Sequence, residues 1–122
     1  MARHNEKGTE AENIAFEYLK DKSYIIRERN WRFDHKEIDI IAEHEGKLII
    51  IEVKSVMEGN EENASELLTL NKMRNLVDAA EAYIFSLGIL KEVRFDFIIV
   101  VYGPLGIKLR HVPGAFIPGV NW

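Results

Sequence analysis

The chain of 122 residues is expected to fold as one α/β domain, residues 1–122, in three layers with a mixed central sheet flanked by helices. Three observations predict this. One segment near the start and one in the middle carry apolar residues at helical spacing. Between them, two strand-like runs are joined by a turn short enough only for an antiparallel hairpin. A further apolar run follows the second helix, and a helix between two strands permits a parallel crossover.

The elements follow in order. From Gly8 to Lys20, the residues Ala11, Ile14, Ala15, Tyr18 and Leu19 fall on one helical face. Glu12 lies beside that stripe, close to the buried edge; an acid there also complements the helix dipole. A short strand is expected over Tyr24–Arg29. The hairpin spans Lys36–Ser55, with Glu37-Ile38-Asp39-Ile40-Ile41-Ala42 on one arm and Leu48-Ile49-Ile50-Ile51-Glu52-Val53-Lys54 on the other. It turns at Glu45-Gly46, where Gly46 is free to take positive φ. Val56–Asn63 reads as a loop rich in glutamate. A long helix is expected over Ser65–Leu87, with Met73, Leu76, Val77, Ala80, Ile84 and Leu87 as its core stripe and Gly88 as its C-cap. Val93–Tyr102 reads as a buried strand, Gly103-Pro104-Leu105-Gly106 as a turn, and Ile107–Val112 as an edge strand. Pro113, Gly114, Pro118 and Gly119 point to an irregular tail, with Phe116 and Trp122 tucked back on the sheet.

Composition removes several classes of function. Hydrophobic content of 47% and charged content of 30% are those of an ordinary globular chain. No stretch reaches the roughly 18 apolar residues of a membrane span, and the polar segment Met1–Asn13 has no apolar signal region. The absence of cysteine rules out disulfides and thiolate metal sites. A cytoplasmic protein with no membrane partner is expected. His4, His35, His44 and His111 lack the clustering that zinc requires, and are expected at the surface or in loops. The net charge of −4 argues against gripping nucleic acid by bulk charge. A local patch remains open: Arg27, Arg29, Arg32 and Lys36 precede the hairpin, with Trp31 and Phe33 among them. This composition suits phosphate contacts and base or sugar packing, with Arg29 and Arg32 the candidate contacts. A solvated face is the plain alternative for the arginines, and core burial the favoured one for Trp31 and Phe33.

The chemistry lies in the hairpin. A carboxylate in so apolar a strand is costly unless its charge is compensated. Side chains alternate along a strand, so Glu37, Asp39 and Ile41 share one face, and Leu48, Ile50, Glu52 and Lys54 share one face. With the turn at Glu45-Gly46, Asp39 falls opposite Glu52, a spacing of about 4.5–5.5 Å between Cβ atoms. Two carboxylates so close repel unless one is protonated or a cation bridges them. Mg²⁺ takes one or two carboxylates together with water and substrate phosphate. Asp39 and Glu52 fit as its ligands, with a backbone carbonyl near Val53 available and Lys54 on the same side to orient water or offset phosphate charge. A one-residue slip would break the arrangement. Taken alone, Glu52-Val53-Lys54 is more often a plain cross-strand ion pair of little worth; an Asp within an Ile-rich strand is what weighs against that reading.

These landmarks occur in a specific order: Gly8-x-x-Ala11-Glu12, Arg29-Asn30-Trp31-Arg32, Glu37-Ile38-Asp39-Ile40-Ile41-Ala42, Ile51-Glu52-Val53-Lys54, Lys72 and Arg94-Phe95-Asp96. In that order the chain resembles, over nearly its whole length, the PD-(D/E)XK nuclease superfamily, and within it the YraN-like family of bacterial predicted endonucleases. The resemblance implies a restriction-endonuclease-like fold and a Mg²⁺-dependent endonuclease, with Mn²⁺ as a substitute metal. The reaction would be hydrolysis of phosphodiester bonds in DNA, branched or damaged DNA being candidate substrates. Asp39 and Glu52 would bind the metal, Lys54 would position the attacking water or stabilise the pentacovalent phosphorus, and Glu12 would reach the site from the first helix. Glu37 is a weaker candidate, and Lys72 would contact nucleic-acid backbone from the second helix. Nucleases that cut both strands often pair as symmetric dimers, which makes a homodimer a candidate assembly that no residue of the sequence reports. Two positions depart from the family pattern: Lys36 stands where Gly is usual, and Ser55-Val56 where a basic residue is usual. The alternative is a nucleic-acid-binding module that keeps the fold and cleaves nothing.

Overall fold

The computed structural model describes residues 6–122, the side chains of residues 6, 7, 62, 64 and 65 excepted; the polar start at Met1 and the histidine at His4 lie outside the described residues. The helical stripe near the start forms α1, Glu6–Asp21. Three strands follow, β1 (Ile25–Phe33), β2 (Lys36–His44) and β3 (Lys47–Met57). A 3-10 helix over Glu61–Leu67 leads into α2, Leu70–Leu87. The chain ends in β4 (Val93–Gly103), β5 (Gly106–Phe116) and a short tail. The fold is α/β, with one five-stranded sheet in the order β1-β2-β3-β4-β5. Every pair is antiparallel except β3 with β4, which α2 joins as a parallel crossover.

The helices cover opposite faces. Ala11, Ala15 and Leu19 of α1 pack on Ile40, Ala42, Ile49 and Ile51. Leu76, Ala79, Ala80 and Tyr83 of α2 pack on Ile41, Leu48, Ile50 and Phe95. Successive residues of β3 therefore enter different layers, which explains why Leu48–Ile51 carries no polar residue: a strand covered on both faces has no solvent side.

Several boundaries differ from expectation. The strand expected to end at Arg29 runs on to Phe33; it is an outer strand, mostly half-buried, and its charged composition hides its periodicity. The second helix begins at Leu70 and not Ser65. Thr69 is extended (φ −70, ψ 164), and its hydroxyl accepts the Lys72 N–H at 3.1 Å, an N-cap that fixes where the helix starts. At the other end Gly88 takes the expected left-handed cap, φ 63. The expected tail from Pro113 is still strand as far as Phe116. Proline is tolerated because β5 is outermost, and a register shift between Phe95 and Phe97 absorbs the irregularity. Phe116 stacks on Phe95 at 4.8 Å, and Trp122 lies 6.1 Å from Phe116, so the end of the chain is tucked back as expected.

His111 also departs from expectation. It is not a surface residue: its side chain is 10% exposed, and its Nε2 lies 2.7 Å from Asp96 Oδ2. Arg94 grips the same carboxylate through Nε and Nη2 at 2.8 and 2.9 Å, and the Gly114 N–H adds a bond of 3.0 Å. Burial alone would raise the Asp96 pKa, but His111, Arg94 and Gly114 together hold it below the usual carboxylate range. Tyr18 of α1 reaches His111 Nδ1 at 2.9 Å, so this polar knot fastens α1 and β5 to β4. His35 is exposed, and His44 stacks on Tyr24 at 3.9 Å. Among the described residues, no helix is long and apolar enough to cross a membrane.

Candidate functional site

The hairpin ladder runs from His44 opposite Lys47 to Ile40 opposite Ile51 and stops. Beyond it β2 stays with β1, Trp31 facing Ile38, while β3 stays with β4, Glu52 facing Phe97. The sheet therefore opens into a wedge. Ile38 joins Ile41 in the α2 layer, although strict alternation would place it with Ile40; the strand rotates at the residue between them. That residue is Asp39. Its Oδ2 accepts the Val53 N–H at 2.8 Å, replacing the backbone partner that β3 has lost. Continuing the register sets Asp39 against Glu52, and the two carboxyl groups lie within hydrogen-bonding reach.

The wedge, the start of α1 and the N-terminal end of α2 enclose an open cleft of about 480 Å³, lined by Glu12, Glu37, Asp39, Glu52, Lys54, Ser55 and Lys72 among others. Glu52 is its deepest acid, 2% exposed. Lys72 Nζ lies 3.3 Å and Lys54 Nζ 3.6 Å from its Oε2. Its Oε1 is buried and meets no donor among the described residues. Burial and then the Asp39 charge push the Glu52 pKa up to about 8. Burial also raises Asp39, against the Val53 N–H and the Lys72 charge. Glu12 is raised as well, by burial and by Asp39. A protonated Glu52 donating to Asp39 is the arrangement these shifts describe for the metal-free cleft.

The side chains named from the sequence divide into three groups. Asp39, Glu52, Lys54, Glu12 and Glu37 are brought together in the cleft. Lys72 joins them, its Nζ on Glu52 and its side chain 34% exposed. Arg29 lines an adjoining pocket with Thr9, Glu12, Asn13 and Asn30; its Nη2 donates to Asn13 Oδ1 at 2.8 Å and its guanidinium lies over Phe16. Arg32 stands apart on the surface, 63% exposed and 3.7 Å from Glu37. The rest of the basic run is engaged elsewhere, Arg27 with Glu43 and Tyr83, Lys36 with Asp78. Trp31 packs edge-on against Tyr83, at the core as favoured, while Phe33 is exposed.

Among the described residues no group of three or more acidic or imidazole side chains is arranged to hold a metal unaided. The donor set fits a hard cation that takes only part of its shell from protein: two adjacent carboxylates, one with a buried oxygen that no donor reaches.

Fold and cleft together define an α/β protein whose opened hairpin gathers one buried acid, three half-buried acids and two lysines at the split end of its sheet. Residues 11–100 match the Uncharacterised protein family UPF0102, and the chain belongs to this family. It is 39% identical over 120 residues to a UPF0102 protein of Phocaeicola vulgatus, covering 98% of this chain and 99% of that one. A UPF0102 protein of Bacteroides thetaiotaomicron is 41% identical over 118 residues, 97% of this chain and 98% of its own. One of Porphyromonas gingivalis is 34% identical over 118 residues, 95% of this chain and 87% of its own.

Proposed function

We propose that this protein is a metal-dependent endonuclease of the PD-(D/E)XK kind, hydrolysing phosphodiester bonds in DNA. The observation that carries the reading is the convergence of Asp39, Glu52 and Lys54 on one cleft at the point where the hairpin splits. Asp39 and Glu52 would hold a Mg²⁺ ion, with Mn²⁺ as a substitute; when bound, it supplies Lewis acidity toward a phosphate oxygen and toward water. Lys54 projects from the strand that carries Glu52 and offers an ammonium to a phosphate oxygen or to the attacking water. Lys72 supplies a further positive charge from the opposite wall. The Val53 N–H holds Asp39 in its rotamer, so this carboxylate is oriented before any ligand arrives. Glu12 closes the α1 side and can hold a water by accepting its proton in a hydrogen bond.

Titration of Mg²⁺ or Mn²⁺ over branched, nicked and linear DNA tests the reading. Cleavage is expected only with the divalent ion, to fall by about a hundredfold or more in Lys54→Met, and to vanish in the Asp39→Ala/Glu52→Ala double variant. Equal cleavage by wild type and the double variant would assign it to a contaminant. Binding that survives EDTA without turnover on any substrate would support the non-catalytic module instead.

A further inference from the structure

Asn30 lies inside β1 with φ +52, a left-handed backbone that Asn tolerates better than most residues and Gly adopts freely. Its amide meets two carboxylates from two other elements. With the nitrogen toward them, Nδ2 is 2.9 Å from Glu12 Oε1 on α1 and 3.1 Å from Glu37 Oε2 on β2. An amide nitrogen carries two N–H donors and a carboxylate only accepts, so the acceptors themselves dictate that orientation. Without the amide, Glu12 and Glu37 would face each other, and Asp39, as like charges. Glu12 also lines both the cleft and the adjoining pocket at Arg29, so its direction decides whether the acids of the cleft act as one group.

We propose that Asn30 is a positioning residue: its side-chain amide ties Glu12 to Glu37 across three elements and thereby aims Glu12 into the cleft beside Asp39 and Glu52. The consequence for metal binding rests on the endonuclease reading; the placement of Glu12 does not. A role limited to backbone conformation would be filled at least as well by glycine, which is why Asn30→Gly is the discriminating variant. In its metal-free crystal structure the Glu12 carboxylate is expected to have left the cleft. Calorimetric Mn²⁺ affinity without DNA should fall by about 10–100-fold, the usual loss when an outer-shell group of a metal site is displaced, here Glu12 with the water it would hold. In a Glu12→Gln background the same change should cost less than about threefold. Wild-type Mn²⁺ affinity in Asn30→Gly, with Glu12 unmoved, would overturn the proposal. If the wild type itself binds no Mn²⁺, the endonuclease reading fails, and the position of Glu12 in the variant crystal still decides the role of Asn30. Should Asn30→Gly not fold, Asn30→Asp has the same shape and tolerates the same backbone; it is expected to turn Glu12 away, and a Glu12 still in the cleft would overturn the proposal.

Discussion

Glu52 is an acid that its surroundings keep protonated near neutral pH, and this has a measurable consequence for stability. Its folded-state pKa of about 8 stands above the ordinary value of 4.5. Its contribution to stability is therefore fully present below pH 4.5 and is lost as pH rises through about 8. The metal-free protein should melt at progressively lower temperature from about pH 5 to pH 8 and level off above that. Glu52→Gln should flatten that decline, because an amide has no proton to lose. Melting curves across the range check this, and parallel slopes for both proteins would refute it. The closeness of Asp39 and Glu52 was legible in the sequence, since an even turn sets a register that continues to them; the rotation of β2 at Asp39 was not. The bond from Asn30 to Glu12 and Glu37 was not: it joins residues from three elements, and only the left-handed tolerance of Asn hints at it. Lys72 on Glu52 was equally hidden, because nothing local reports which side of the sheet a helix crosses.

At the scale of elements, the legible features were those written in local periodicity or local chemistry: the stripe of α1, the hairpin turn, the continuous run of β3 and the Gly88 cap. Misplaced boundaries lie where a neighbour overrides the local signal. Strand β5 passes through Pro113 and Gly114 because the Gly114 N–H is satisfied by Asp96 instead of the ladder. Likewise, α2 starts five residues late because Thr69 supplies an oxygen to its first turn. That cap makes its own prediction. Thr69→Ala should lower unfolding free energy by about 1 kcal/mol, measurable as a shift of the urea midpoint with unchanged slope. It should also weaken cleavage, because the start of α2 sets the reach of Lys72 to Glu52. A loss of stability with full activity would show that Lys72 finds its place without the cap.

For the whole molecule, the charge balance sets the terms of any encounter with DNA. A chain of net charge −4 sets Glu12, Glu37 and Asp39, beside the protonated Glu52, against Lys54 and Lys72 in one cleft, so acids outnumber cations where a phosphate backbone would sit. Divalent ions should therefore strengthen DNA binding and not screen it. In EDTA, a short duplex should bind weakly; with Ca²⁺, a hard cation with the same taste for oxygen, affinity should rise by about tenfold or more. Fluorescence anisotropy at constant ionic strength measures this directly. Affinity that falls on adding Ca²⁺ would mean that the nucleic acid approaches over a different surface.

The two outermost strands carry a last implication. β1 holds a bulge between Ile26 and Glu28 and the left-handed Asn30. β5 holds a bulge opposite Phe95–Phe97, a proline and the left-handed Gly114. Each border of the sheet is thereby crooked, and a crooked border is a poor template for an incoming strand. Such irregularities guard against stacking into fibrils. They also make the sheet borders poor seams for a second copy, so any pairing of copies would run through helices or loops.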